Sequence, residues 1–174
     1  TSSIGEKSRW RVVWGASNST DCTGRCQTQF SPEREFQGAG NQTWTEVEEY
    51  LKHCKGIILP LGSTEQHGPT GAIGTDALTA EAVALEVGCR TGVLVAPTQA
   101  FGMAEHHLAF PGTMSLQPAT LLALLHDLVL SLAGHGFEKI FVVNGHGGNI
   151  ATAKAAFMQA YSTAETRKLP IASR

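Results

Sequence analysis

The sequence predicts an α/β fold in which helices cover both faces of a mostly parallel sheet. From residue 43 onward, short apolar runs alternate with segments that carry apolar residues at helical spacing, in the order α-β-α-β-α-β-α. The short runs are apolar throughout and rich in β-branched residues. Such runs are typical of strands that are buried on both sides of a parallel sheet.

The first half of this pattern begins with a helix and a buried strand. Residues 45–48 (TEVE) form a capping box, which predicts a helix that runs to about His53. The run Gly56–Leu61, with the sequence GIILPL, predicts the first strand. A second helix is expected over residues 76–89 and a second strand over residues 93–96.

The second half repeats the alternation. Pro118 suits the first turn of a helix, and apolar residues recur at helical spacing over residues 121–132. Residues 139–143 (KIFVV) predict a third strand. Asn149 is expected to cap a last helix that ends near residue 163, and residues 170–171 predict the start of a fourth strand.

Residues 1–42 have a different composition and are predicted to be a poorly ordered or atypical N-terminal extension. They mix Ser, Gly, Thr, Gln and Arg with isolated aromatic residues, and the first leucine of the chain is Leu51. The α/β domain is therefore placed at residues 43–174.

Composition excludes several functional classes. Lys and Arg number 13 and Asp and Glu number 15 in 174 residues, so the net charge of −2 gives no electrostatic reason to expect nucleic-acid or acidic membrane partners. No apolar stretch is long enough to span a bilayer, and no secretory signal is visible. The 4 cysteines do not form a disulfide framework in a chain of this length. These observations favour a cytoplasmic protein.

Carboxylates and imidazoles follow the predicted strands, at the end of the sheet where α/β proteins bind ligands. Each residue alone has an ordinary structural alternative, such as an N-cap role for Asp76. Core packing does not gather such side chains at strand ends, so together they predict a metal site for zinc, manganese or iron. The candidate residues are Glu65, His67, Asp76 and His146.

Other chemistries fit these loops less well. Ser63 lacks a GxSxG elbow, and no cysteine lies in the three loops, so neither a serine nor a cysteine nucleophile is supported. Residues 144–149 (NGHGGN) are rich in glycine but match neither GxGxxG nor GxxxxGK[ST]. A nucleotide-binding α/β domain is therefore a minor alternative.

Three ordered motifs together resemble the creatininase family of metal-dependent amidohydrolases. They are LPLGSTEQHGPTGAIGTD at 59–76, HLAFPGT at 107–113 and NGHGGN at 144–149, and the similarity covers roughly residues 44–163. The resemblance implies a three-layer α/β/α sandwich that assembles as a homo-oligomer, often a hexamer. It also implies hydrolysis of a non-peptide or cyclic amide C–N bond in a small, creatinine-like substrate by metal-activated water, with zinc or manganese as cofactor.

The resemblance also implies roles for single residues. Glu65, His67, Asp76 and His146 match the family's ligands to two metals, with Asp76 between the metals, His67 on one, and Glu65 and His146 on the other. His107 matches the histidine of the family's HxxFPGT block near the substrate. We therefore assign His107 as the candidate catalytic residue, a general acid for the leaving nitrogen.

The sequence departs from the family pattern at the second metal. Creatininase itself carries a glutamate two residues after the NGH histidine, where this chain has Gly148. Many relatives instead have a glutamate in a downstream HAGxxET segment, and this chain ends before such a segment. The alternative prediction is thus a non-catalytic or fragmentary creatininase-fold protein with a partial metal site.

Overall fold

The computed structural model describes residues 38–170. Most of the predicted N-terminal extension and Ile171 of the predicted fourth strand lie outside the described residues. Within them the predicted alternation of helices and strands is confirmed. The elements are α1 (Trp44–His53), β1 (Gly56–Leu61), α2 (Thr75–Thr91), β2 (Leu94–Val95), α3 (Pro118–Gly134), β3 (Lys139–Asn144) and α4 (Ile150–Arg167).

The strands form a parallel sheet in the order β2-β1-β3. β1 pairs with β3 over its whole length, from Gly56 opposite Lys139 to Leu61 opposite Asn144. Every residue of β1 is buried, as its uninterrupted apolar sequence predicts. Because β1 is central, the loop that follows it lies between the loops that follow β2 and β3.

Helices cover both faces of this sheet, which confirms the predicted fold class. Leu59 and Leu61 pack with residues of α3 and α4 in one core cluster. Ile58, which directly precedes Leu59, packs with Ala84 of α2 and with Val95. Successive side chains of a strand point to opposite faces, so α2 lies on one side of the sheet and α3 and α4 lie on the other.

Helix α1 begins earlier than predicted, and the prediction that residues 45–48 form its capping box is wrong. Thr43 is the N-cap: its side chain accepts a hydrogen bond from the Glu46 N–H, and the Glu46 carboxylate accepts one from the Thr43 N–H at 2.7 Å. Residues 43–46 (TWTE) and 45–48 (TEVE) both match the capping-box pattern, so the pattern alone does not separate them.

The other helix starts follow the sequence more closely. Pro118 occupies the first turn of α3, as predicted. Gly74 is the N-cap of α2, so Asp76 lies in the first helical turn and is not the cap. A carboxylate in that turn is favoured by the partial positive charge of the helix N-terminus. None of the described helices is long and apolar enough to cross a membrane.

Candidate metal centre

The loops that follow the three strands meet around the buried side chain of Asn149. Its amide Nδ2 donates to the Gly62 carbonyl oxygen at 2.9 Å, and its Oδ1 accepts from the Met103 N–H at 2.9 Å. Nδ2 also donates to Asn144 Oδ1 at 3.2 Å. Asn149 is the N-cap residue of α4, as predicted, but its side chain makes no cap hydrogen bond. The amide connects the three loops instead.

The structure brings together the four ligands predicted from the sequence. Asp76 lies between two histidines: Oδ1 is 3.1 Å from His67 Nε2, and Oδ2 is 2.9 Å from His146 Nδ1. Glu65 Oε2 is 3.3 Å from the same His146 nitrogen. Glu65, Asp76 and His146 are buried, whereas the His67 side chain is 29% exposed.

Gly145 allows Asp76 to reach this position. A Cβ built on Gly145 would overlap the Asp76 carbonyl oxygen and would also touch the side chain of Ala80. The first turn of α2 therefore lies directly against the backbone that follows β3. Any side chain at position 145 would push Asp76 away from His146.

Backbone carbonyls determine which nitrogen of each ligand histidine carries its proton. His67 Nδ1 lies 3.1 Å from the Glu65 carbonyl oxygen, and His146 Nε2 lies 3.0 Å from the Met103 carbonyl oxygen. A carbonyl oxygen only accepts, so both of these nitrogens donate. In the neutral imidazoles, the opposite nitrogen presents a lone pair to the Asp76 carboxylate.

This donor set fits a divalent metal. Lone pairs on nitrogen and carboxylate oxygen repel each other at about 3 Å, and a cation between them removes the repulsion. Metal-bound histidines commonly donate their other N–H to a carbonyl, as His67 and His146 do. A proton relieves the same repulsion: the hydrogen bond to the Glu65 carbonyl and the charge of Asp76 raise the pKa of His67, against the lesser effect of burial.

Two further histidines lie at the rim of this cluster. His107 Nδ1 is 2.8 Å from Gln66 Nε2, and His107 Nε2 is 3.5 Å from Glu65 Oε1. His106 was not selected from the sequence, yet its donor atom and those of Glu65 and His146 lie within 4.8 Å of one another. Its ring stacks on that of His146 with centroids 6.0 Å apart. The signal for His106 was its place beside His107 in the same loop.

The backbone at Gly148, where the family pattern has a glutamate, leaves no room for a side chain. A Cβ built there would overlap His146 Nε2 and the Met103 carbonyl oxygen. These are the two atoms whose hydrogen bond orients His146. A glutamate at this position is therefore incompatible with the local arrangement.

Imidazole and carboxylate donors at the strand ends of an α/β sandwich place the chain among proteins with a candidate divalent-metal site. The chain belongs to the creatininase family, since the family model described as creatinine amidohydrolase matches residues 40–172.

Curated relatives of the chain are hydrolases. The chain is 36% identical over 117 residues to a creatinine amidohydrolase of Pseudomonas putida. The match covers 63% of this chain and 45% of the relative. The chain is 42% identical over 106 residues to a mycofactocin precursor peptide peptidase of Mycolicibacterium smegmatis (58% and 42%). It is 35% identical over 106 residues to a 3-dehydro-scyllo-inosose hydrolase of Thermotoga maritima (60% and 34%). The chain thus spans less than half the length of these relatives.

Solved creatininase structures share the fold. A crystal structure of creatinine amidohydrolase superposes with a TM-score of 0.73 at 29% identity, covering 78% of this chain and 56% of that chain. A manganese form of creatininase gives 0.72 at 30% identity (78% and 57%). A zinc–zinc form of a creatininase mutant gives 0.71 at 30% identity (78% and 57%). The same mutant was also solved in complex with creatine.

Proposed function

We propose that the chain is a metal-dependent amidohydrolase that cleaves a non-peptide or cyclic amide C–N bond in a small, creatinine-like molecule. One observation carries this proposal: His67 and His146 each donate one N–H to a backbone carbonyl and turn the other nitrogen toward Asp76. The creatinine amidohydrolase among the relatives supports the choice of bond.

Glu65, Asp76 and His146 would hold one metal, and His67 and Asp76 would hold a second. The manganese and zinc–zinc forms of creatininase support the choice of metals. When bound, such metals supply Lewis acidity that activates water and polarises an amide carbonyl.

The remaining residues of the site position these groups and offer a donor to the substrate. Ser63 Oγ donates to Glu65 Oε2 at 3.4 Å, and Thr64 Oγ1 ties the same loop to the Ala100 carbonyl oxygen at 2.9 Å. The side chain of His107 is 24% exposed, so it lies between the buried carboxylates and the solvent side of the site. This location suits a group that donates to a leaving nitrogen, the substrate atom assigned to His107 from the sequence.

Metal analysis tests the assignment. Protein purified without chelators is expected to retain zinc or manganese, and Asp76→Ala is expected to lose both the metal and hydrolysis of small amides. Asp127→Ala is the matched control, because the Asp127 side chain is 80% exposed on α3. Metal-free wild-type protein, together with an Asp76→Ala variant that keeps wild-type activity, would contradict the proposal.

The overlap at Gly148 favours one alternative, a non-catalytic creatininase-fold protein with a partial metal site. This alternative predicts that one equivalent of metal binds and that no amide in a panel of creatinine, other lactams and formamides is hydrolysed. Turnover of any of these by the metal-loaded chain would exclude it.

Homo-oligomeric assembly and a cytoplasmic location remain predictions from the sequence. Light scattering on the purified chain would test the first, and fractionation of the source cells would test the second.

A further inference from the structure

His107 is hydrogen-bonded differently from the two candidate ligand histidines. One ring nitrogen of His107 faces an amide NH2, whereas one ring nitrogen of His67 and of His146 faces a carbonyl oxygen. We infer that Gln66 is a positioning residue that holds His107 with its proton on Nε2. In this tautomer His107 cannot coordinate metal and instead presents an N–H to the site. The inference rests on three contacts, which join Gln66 to Gly68, Gln66 to His107, and His107 to Glu65.

The first contact fixes the orientation of the Gln66 amide. The Gly68 backbone N–H donates to Gln66 Oε1 at 2.8 Å. A backbone N–H can only donate, so the amide atom that faces it must be the oxygen. Gly68 has a φ of 73°, the left-handed conformation that glycine adopts without strain. The turn therefore leaves only the NH2 group of Gln66 to face His107.

The second contact fixes the tautomer. Gln66 Nε2 lies 2.8 Å from His107 Nδ1. An amide NH2 has no acceptor capacity, so His107 Nδ1 accepts and carries no proton. The proton of the neutral imidazole is then on Nε2.

The third contact shows where that proton points. His107 Nε2 lies 3.5 Å from Glu65 Oε1, at the edge of the ligand cluster. A protonated nitrogen cannot bind a metal, and the Nδ1 lone pair is already used by Gln66. Carbonyls leave His67 and His146 with a lone pair toward the carboxylates, whereas Gln66 leaves His107 with a proton.

The tautomer follows from hydrogen bonding alone, in the metal-free protein. The further step, that the Nε2–H donates a hydrogen bond to a leaving nitrogen, rests on the proposed function. Giving up this single ring proton would leave an imidazolate, so the neutral ring serves as a hydrogen-bond donor rather than as a general acid. The two can fail separately: loss of the metal assignment leaves the tautomer standing, and a wrong tautomer leaves the metal site standing.

The tautomer can be read directly. Long-range 1H–15N NMR of histidine-labelled, metal-free protein at about pH 9, well above the ordinary imidazole pKa of about 6.5, distinguishes protonated from unprotonated ring nitrogens. The His107 signals are assigned by their loss in His107→Gln. We expect a proton on Nε2 of His107. A proton on Nδ1, or an even mixture of tautomers, would overturn the inference, and this measurement needs no change at Gln66.

A single substitution reverses the contact. Gln66→Glu keeps an oxygen for the Gly68 N–H but replaces the donor to His107 with an acceptor, so the proton is expected to move to Nδ1. Gln99→Glu makes the same change in an amide that donates to the Phe101 carbonyl oxygen, and it should leave His107 as in wild type. Unchanged His107 shifts in Gln66→Glu, or equal changes in both variants, would overturn the inference.

Kinetics test the functional step. In metal-loaded Gln66→Glu, we expect kcat to fall by about 100-fold, the lower end of the effect of losing one hydrogen-bond donor to the transition state, with little change in KM. Thermal unfolding of the variant checks that the fold is kept. A reversed tautomer with unchanged kcat would contradict the role of His107 as a hydrogen-bond donor to the substrate.

Discussion

Hydrogen bonds from single backbone and side-chain groups decide what each histidine of the site can do. His67, His107 and His146 are the same residue type within one small cluster. Two of them bond to a carbonyl oxygen, and the third bonds to an amide NH2. The sequence identified all three as candidates because they follow strands. It could not assign their tautomers, because the partner of His146 is the carbonyl of Met103, brought in from another loop.

Replacing Gly148 with the glutamate of the family pattern is expected to lower the metal affinity of the site. The new side chain would overlap His146 Nε2 and the Met103 carbonyl and break the bond that orients His146. Loss of such a partner lowers metal affinity by about 10- to 100-fold. A metal titration of Gly148→Glu measures the effect. Gly147→Ala is the control, because a Cβ on Gly147 meets nothing within 4 Å. Binding of an additional metal by Gly148→Glu would contradict this expectation.

Tyr161, on α4, makes the stability of the fold depend on pH. Burial raises the pKa of its phenol above the ordinary value of about 10. The folded state thus favours the neutral phenol, so this contribution to stability is present below about pH 10 and is lost as the pH rises through the raised pKa. Tyr161→Phe is expected to show a shallower loss of unfolding free energy above pH 10. Denaturant titrations across this range measure it, and equal slopes in both proteins would refute the assignment.

At the scale of helices and strands, periodicity predicted the type and order of the elements, and the errors lie at their ends. β1 was predicted at its observed bounds because its six residues form one uninterrupted apolar run with polar residues close to both ends. Helix starts depend on short polar patterns that recur by chance, such as the overlapping capping boxes of α1. Asn149 matched a cap by type and position, but contacts with distant loops determine its actual role.

The start of α1 can be tested by removing each candidate cap. Thr43→Ala is expected to lower the free energy of unfolding by about 1 kcal/mol, the usual cost of losing an N-cap side chain. Thr45→Ala lies inside the helix and should change stability by no more than about 0.5 kcal/mol. Urea unfolding compares the two, and a larger loss in Thr45→Ala would restore the boundary predicted from the sequence.

At the scale of the whole molecule, one buried amide connects the loops that hold the candidate ligands. Asn149→Ala leaves the Gly62 carbonyl and the Met103 N–H without that partner. A buried group left unsatisfied costs about 1–3 kcal/mol, so a total loss of about 2–4 kcal/mol is expected. Gln159→Ala, at an exposed position of α4, is the control and should stay within about 0.5 kcal/mol. Equal stability of the two variants would show that the loops are held by other contacts.

The parallel pairing of β1 with β3 also has a kinetic consequence. These strands are separated in sequence by α2, β2 and α3, so their pairing closes a long stretch of chain and belongs to the slow class of folding events. During synthesis Glu65, His67 and Asp76 emerge well before His146. The intact donor set therefore exists only after β3 has docked, and the uptake of metal would report the last stage of folding.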